Sequence, residues 1–108
     1  MGLEHNRENI ECAILATFLY ANEMSENISW TYPLDLSVFT SPLRVRVAER
    51  VNNVSDGCYG FLSYELEDKI AGTIHESDWL DILAQTPLSN SRVYHDSLVK
   101  QEKMRNLI

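Results

Sequence analysis

Several residue classes are scarce in this chain, and their scarcity excludes several kinds of protein. Only two cysteines are present, Cys12 and Cys58, and they form no Cys-x-x-Cys pair. Two cysteines are too few for a disulfide scaffold or a four-thiolate zinc site. The four glycines form neither a Gly-x-Gly-x-x-Gly motif nor a phosphate-binding P-loop. No apolar run approaches the roughly 18 residues of a membrane-spanning helix, so we expect no membrane association.

Basic residues are also few. Nine Lys and Arg stand against sixteen Asp and Glu, which gives a formal net charge of -7. A nucleic-acid backbone attracts the opposite charge balance, so we expect no direct binding of nucleic acid. The 108 residues, 44% of them hydrophobic, suffice for one domain with one core. The polar N-terminus lacks the apolar stretch of a secretory signal, and we expect a cytoplasmic protein.

The spacing of apolar residues predicts an all-α fold of about five to six helices. We expect a disordered tail over residues 1–8, a central helix over 10–20 with Asn9 as its N-cap, and an ordered apolar loop before residue 40. Ser41 followed by Pro42 is a typical helix start. Further helices are expected near residues 61–70 (ended by Gly72), near 76–83 (capped within 76–78), and from a cap within residues 89–91 to the C-terminus.

These helices predict which side chains share the core. The expected core residues are Ile10, Ile14, Phe18, Val47, Val51, Phe61, Leu66, Leu80, Leu83 and Leu98. Helical spacing also predicts an inward stripe on the last helix, formed by Tyr94, Leu98, Gln101, Met104 and Ile108.

No group of residues shows the spacing of a reaction centre, and we predict a binding domain without catalytic residues, metal or cofactor. The histidines His5, His75 and His95 are scattered among acidic neighbours and are interpreted as solvated surface residues. Cys12 lies within an apolar helical segment, which favours a small, inert core thiol over a nucleophile.

One acidic stretch is the best candidate for a docking surface. Between residues 54 and 85 there are seven acidic residues and one basic residue, a balance that can steer a basic partner or simply keep the protein soluble. Aromatic anchors within a charged rim are typical of interfaces, although Trp79 could equally be a core residue. The candidate docking residues are Tyr64, Glu65, Glu67, Asp68, Trp79 and Asp81. An alternative interface is the last helix around Tyr94 and Arg105.

Several short motifs, taken in order over residues 9–108, resemble the N-terminal domain of DnaB-type replicative DNA helicases. The opening Asn9-Ile10-Glu11 runs into an Ala- and Leu-rich helix, as in that family. Further similar positions are Val38, Phe39, Pro42 and Arg44; Phe61, Leu66 and Ile70; Leu80 to Ala84 with Pro87; and Tyr94, Leu98 to Lys100, Arg105, Leu107 and Ile108.

The resemblance implies a non-catalytic, compact helical head, the collar domain of a hexameric helicase, whose last helix leads into a helical hairpin missing here. Such heads pair through their hairpins, assemble into a trimer of dimers, and dock primase and the helicase loader. ATP and Mg would belong to a motor domain that is absent from this chain.

Two alternatives come from the same residues. A free-standing mimic of the helicase head could regulate the replisome. A helix-turn-helix DNA-binding regulator could instead use the helix over residues 43–52, with Arg44, Arg46 and Arg50 facing DNA, against the charge balance of the chain.

Overall fold

The computed structural model describes residues 7–20, 33–54, 62–85 and 91–105. Within these ranges every regular element is a helix and there are no strands, so the predicted all-α class is confirmed. The elements are α1 (Arg7–Leu19), a 3₁₀ turn (Leu36–Val38), α2 (Pro42–Asn52), α3 (Leu62–Ile70), α4 (Glu76–Leu83) and α5 (Ser91–Arg105).

Helix α1 is the centre of the fold, because every residue from Glu11 to Leu19 is buried. A helix that is apolar on all sides must be covered on all sides, and α2, α4 and α5 pack around it. The predicted helix is confirmed, but it begins at Arg7 rather than after an Asn9 cap. Ion pairs hold Arg7 in the helix, so residues 7 and 8 do not belong to the expected tail. Residues 1–6 lie outside the described residues.

Helix α2 begins as the local sequence predicts. Ser41 has extended backbone angles and its hydroxyl accepts a hydrogen bond from the Arg44 N–H at 3.3 Å, while Pro42 occupies the first turn. Leu43, Val47 and Val51 are buried on the inner face of the helix. The predicted cap, helix and buried face are all confirmed.

The segment over residues 33–40 is the ordered apolar loop that the sequence predicts. Leu34, Val38 and Phe39 are buried, and side chains of neighbouring helices bind its backbone. The Asn52 amide accepts from the Leu34 N–H at 2.8 Å and donates to the Leu34 carbonyl at 3.0 Å. These contacts give the loop the backbone hydrogen bonds that a sheet would otherwise provide.

A tight turn joins α3 to α4. Gly72 has a φ of +79°, the left-handed conformation in which glycine commonly ends a helix, and its N–H donates to the Glu76 carboxylate at 2.8 Å. The N-cap position of α4 is His75, whose side chain makes no capping bond, so the predicted cap within residues 76–78 is wrong. The carboxylate of Glu76 reaches back to the turn instead.

Most of the predicted core is confirmed, with one exposed exception. Six of the ten residues are buried: Ile14, Phe18, Val47, Val51, Leu66 and Leu98. Ile10 and Leu83 pack against the core while half-buried, and Phe61 lies outside the described residues. Leu80 is 54% exposed, because α4 turns Trp79 and Ile82 inward instead.

Helix α5 presents a different face from the predicted stripe. Gln101 and Met104 are exposed, and the buried residues are Ser91, His95 and Leu98. His95 on the inner face accepts a hydrogen bond from the loop, and the predicted stripe is wrong for Gln101 and Met104. The stripe is confirmed at Leu98, Tyr94 is half-buried against the core, and Ile108 lies outside the described residues. No helix within the described ranges is long and apolar enough to cross a bilayer.

Candidate functional site

The helical hairpin formed by α3, the turn and α4 (residues 62–85, the acidic hairpin) carries most of the predicted docking residues. It contains six carboxylates and one lysine. Three large apolar side chains are exposed on it: Tyr64 at 73%, Leu80 at 54% and Ile74 at 92%. Apolar side chains set among charges are typical of a protein-binding surface.

Trp79 is not an anchor of this surface. Its side chain has no exposed area, and its indole N–H donates to the Glu67 carboxylate. The alternative interpretation, that Trp79 belongs to the core, is confirmed. The Glu67 carboxylate links α3 to α4 at the edge of this buried indole, so its replacement would disturb the hairpin as well as the surface charge.

Glu65 is also occupied within the protein. The Arg50 guanidinium donates two hydrogen bonds to it, at 2.7 Å from Nε and 3.0 Å from Nη2. These bonds and the adjacent positive charge lower the pKa of the Glu65 carboxyl. Because the pair joins α2 to α3, Glu65 serves chiefly to hold the hairpin in place.

The residues that remain available to a partner are Tyr64, Asp68 and Asp81, which the sequence predicts, and Leu80 and Ile74, which it does not. All five are exposed. These five residues are called the docking surface below. Leu80 could have been found only by placing the α4 face correctly, whereas Ile74 lies in the turn before α4.

The two residues of the alternative interface, Tyr94 and Arg105, lie far apart on α5. Tyr94 is half-buried and packs against the core, whereas Arg105 is exposed, with its Nη1 3.6 Å from the Glu102 carboxylate. Eleven residues of helix separate them by roughly 16 Å. The two side chains therefore do not form one patch, although Met104, at 63% exposure, extends the apolar surface near Arg105.

A buried carboxylate near the start of α1 is the centre of a second cluster of charged side chains. Glu11 has no exposed area and accepts hydrogen bonds from the Thr40 N–H at 2.7 Å, Arg44 Nη1 at 3.0 Å and Arg7 Nε at 3.2 Å. Arg7 also donates to the Val38 carbonyl at 2.9 Å and lies 2.6 Å from the Glu102 carboxylate. This cluster connects α1 to the loop, α2 and α5.

Ion pairs within the protein limit which arginines of α2 are available to bind a nucleic acid. The Arg44 guanidinium is nearly buried against Glu11, and Arg50 is bound to Glu65. Of the three arginines that the helix-turn-helix alternative requires, only Arg46 projects without an ion pair to another described residue. The predicted DNA-facing set is therefore not available on this helix.

His95 is buried, so its interpretation as a surface residue is wrong. Its Nε2 accepts from the Asp35 N–H at 2.9 Å, and its Nδ1 lies 3.2 Å from the Asp96 carboxylate. An imidazole that accepts at Nε2 carries its proton on Nδ1, so Nδ1–H donates to Asp96. His95 thus fixes the loop onto α5. His75 is half-buried at the hairpin turn, and His5 lies outside the described residues.

Cys12 is buried, as predicted for a core thiol. Burial raises its pKa to about 11, against a partly opposing effect of Arg44. The thiol therefore stays protonated at neutral pH and is a poor nucleophile. Cys58 lies outside the described residues.

A shallow polar cleft of about 250 Å³ lies beside Cys12, between α1, α2 and α4. Its walls include Glu8, Arg44, Asp78 and Asp81. Within residues 7–20, 33–54, 62–85 and 91–105, no three His, Cys, Asp or Glu side chains are grouped so that they could hold a metal ion. The Asp81 carboxylate belongs to both this cleft and the docking surface.

Comparison with known protein families, with curated proteins and with solved structures found no match for this chain.

Proposed function

We propose that this chain is a non-catalytic docking and assembly domain, the N-terminal collar domain of a DnaB-type replicative DNA helicase. In that role it would take part in ring assembly and dock primase and the helicase loader. ATP hydrolysis and DNA unwinding would belong to a separate motor domain with its own ATP and Mg site.

The observation that carries the helicase assignment is the contact between two of the resembling motifs. Glu11 belongs to the opening Asn-hydrophobic-Glu motif, and Arg44 follows the proline of the second motif, 33 residues later. Their side chains form a buried ion pair at 3.0 Å, and the Val38 carbonyl of the second motif accepts from Arg7. The Glu11–Arg44 ion pair joins α1 to α2 through one residue from each motif, and this supports the resemblance.

The docking part of the proposal rests on the acidic hairpin. Interface energy is concentrated in a few large side chains, and Tyr64, Leu80 and Ile74 are such side chains exposed on one hairpin. Asp68 and Asp81, which are exposed on the same hairpin, supply negative charge that would accelerate association with a basic partner and make it sensitive to salt.

Binding to the helicase-binding domain of a primase from the same organism tests this proposal. Biolayer interferometry at low and at physiological ionic strength would give the association rate of the unmodified chain, of Asp68→Asn and of Glu49→Gln. Both variants remove one exposed carboxylate, but Glu49 lies on α2. We expect Asp68→Asn to lower the association rate and the salt dependence more than Glu49→Gln does.

Two results would count against the proposal. Equal effects of Asp68→Asn and Glu49→Gln would move docking away from the hairpin, and the surface around Tyr94 and Arg105 would be tested next. Absence of binding to both the primase domain and the loader, with the far-ultraviolet circular dichroism of the folded chain intact, would remove the helicase assignment.

A further inference from the structure

A second groove lies between α2 and α3, on a different part of α3 from the docking surface. It has a volume of about 240 Å³. Four apolar residues form its floor, and each is at most 4% exposed: Leu43, Val47, Leu66 and Ile70. Pockets for drug-sized molecules commonly occupy about 300–1,000 Å³, so this groove suits a single side chain better than a whole small-molecule ligand.

The rim of this groove carries more positive than negative charge, with Arg46, Arg50 and Lys69 against Glu49, although the protein as a whole carries a net charge of -7. Arg46 from α2 and Lys69 from α3 both line the groove and are exposed. Neither forms an ion pair with another residue of the described ranges. Arg50 also lines the groove, but its charge is matched by Glu65. Two exposed cations that form no ion pair with a described residue therefore stand on opposite helices above an apolar floor. The Lys69 charge also acts on the Glu65 carboxylate, which Arg50 already binds.

We propose that this groove binds a segment of another protein in which one aliphatic side chain is flanked by carboxylates. The aliphatic side chain would enter between the stems of Arg46 and Lys69 and lie against the apolar floor. The flanking carboxylates would pair with Arg46 and Lys69, neither of which forms an ion pair with another described residue. A polyanion without an apolar group would use only the rim and would be repelled by the acidic remainder of the chain.

This inference does not depend on the helicase assignment, and it requires a partner of the opposite charge from the one that the acidic hairpin would attract. A domain with both surfaces could contact an acidic and a basic segment at the same time. The two surfaces share α3, yet their exposed residues differ, so each can be altered separately.

The test uses a fluorescein-labelled peptide with one central leucine and two glutamates on either side. Fluorescence anisotropy would compare the unmodified chain with the double variant Arg46→Gln/Lys69→Gln. A matched control, Lys100→Gln/Lys103→Gln, removes the same charge from two exposed lysines of α5 that form no ion pair within the described ranges. We expect saturable binding that the rim variant weakens about fivefold and the α5 variant leaves nearly unchanged.

A second probe, in which serine replaces the central leucine, tests the apolar floor without altering the protein. We expect its affinity to fall by about tenfold or more, because the leucine side chain is no longer buried. Three results would overturn the proposal. The first is equal weakening of leucine-probe binding by Arg46→Gln/Lys69→Gln and by Lys100→Gln/Lys103→Gln. The others are equal affinity of the serine and leucine probes, and no binding of the leucine probe. Concentration-dependent dimerisation that Arg46→Gln/Lys69→Gln abolishes would also overturn it, since the occupant would then be a second copy of this chain.

Discussion

Removal of the Glu11 carboxylate is the perturbation whose effect the structure predicts most firmly. In Glu11→Ala the Arg44 and Arg7 guanidinium groups and the Thr40 N–H all lose an acceptor in a buried site. Breaking a buried ion pair from one side costs roughly 3–5 kcal/mol, because the remaining charge stays buried without its partner. A domain of this size is stable by only about 5–15 kcal/mol, so this loss is a large share of the total.

Two further variants make the measurement interpretable. Glu11→Gln keeps one acceptor oxygen but loses the charge, and we expect a smaller loss of roughly 1–3 kcal/mol. Glu8→Ala removes the same charge from the same helix, but Glu8 is 74% exposed and its carboxylate is 3.9 Å from Arg44. Its cost should stay within about 0.5 kcal/mol.

Urea unfolding followed by circular dichroism measures all three free energies. If Glu11→Ala and Glu8→Ala differ by less than about 1 kcal/mol, the carboxylate is not the buried centre of the cluster and the account of α1 is wrong. The double variant Glu11→Ala/Arg44→Met should cost less than the sum of its two single variants, since neither side then leaves a buried charge unpaired.

Other predictions follow from single contacts. Ile14→Ala should lower the free energy of unfolding in urea by about 2–5 kcal/mol because Ile14 is fully buried, whereas Leu80→Ala should lower it by under about 1 kcal/mol. Similar losses for the two variants would contradict the assignment of the core face. In His95→Gln the longer side chain can still accept from the Asp35 N–H, whereas in His95→Asn the side chain is too short. The Asn variant should therefore be less stable than the Gln variant by about 1 kcal/mol and should lose hydrogen-exchange protection at the Asp35 amide. With a pKa of about 11, Cys12 should react slowly with a maleimide at pH 8 in the folded chain and quickly in urea; equal rates would contradict its burial.

The sequence predicted the elements whose determinants are local. The start of α2 depends on Ser41 and Pro42, and the end of α3 on Gly72, each of which acts within a turn of its own position. The face of α4 was ambiguous for a physical reason. Trp79, Leu80, Ile82 and Leu83 span an arc of about 160° on α4, with Leu80 at one edge and Ile82 at the other. Only tertiary packing selects which edge of this apolar arc is exposed.

The polar residues of the core were missed because their partners are distant in sequence. Glu11 binds groups 29 and 33 residues away, and His95 binds a backbone N–H 60 residues away. A lone Glu or His in a helix carries no sign of such a partner. For the candidate docking surface, the sequence predicts the acidic hairpin and Tyr64, but it leaves Trp79 open between an interface anchor and a core residue, and only the packing of α4 decides for the core.

Isothermal titration of this chain with the helicase-binding domain of a primase from the same organism tests the central proposal most directly. We predict saturable binding that weakens at least about tenfold in Tyr64→Ala, since truncation of an interface anchor commonly costs about 2 kcal/mol or more and each 1.4 kcal/mol is about tenfold in affinity. The Tyr64 side chain is 73% exposed, so this variant should keep the stability of the unmodified chain. No detectable heat at about 100 μM, or full affinity in Tyr64→Ala, would contradict the proposed docking function.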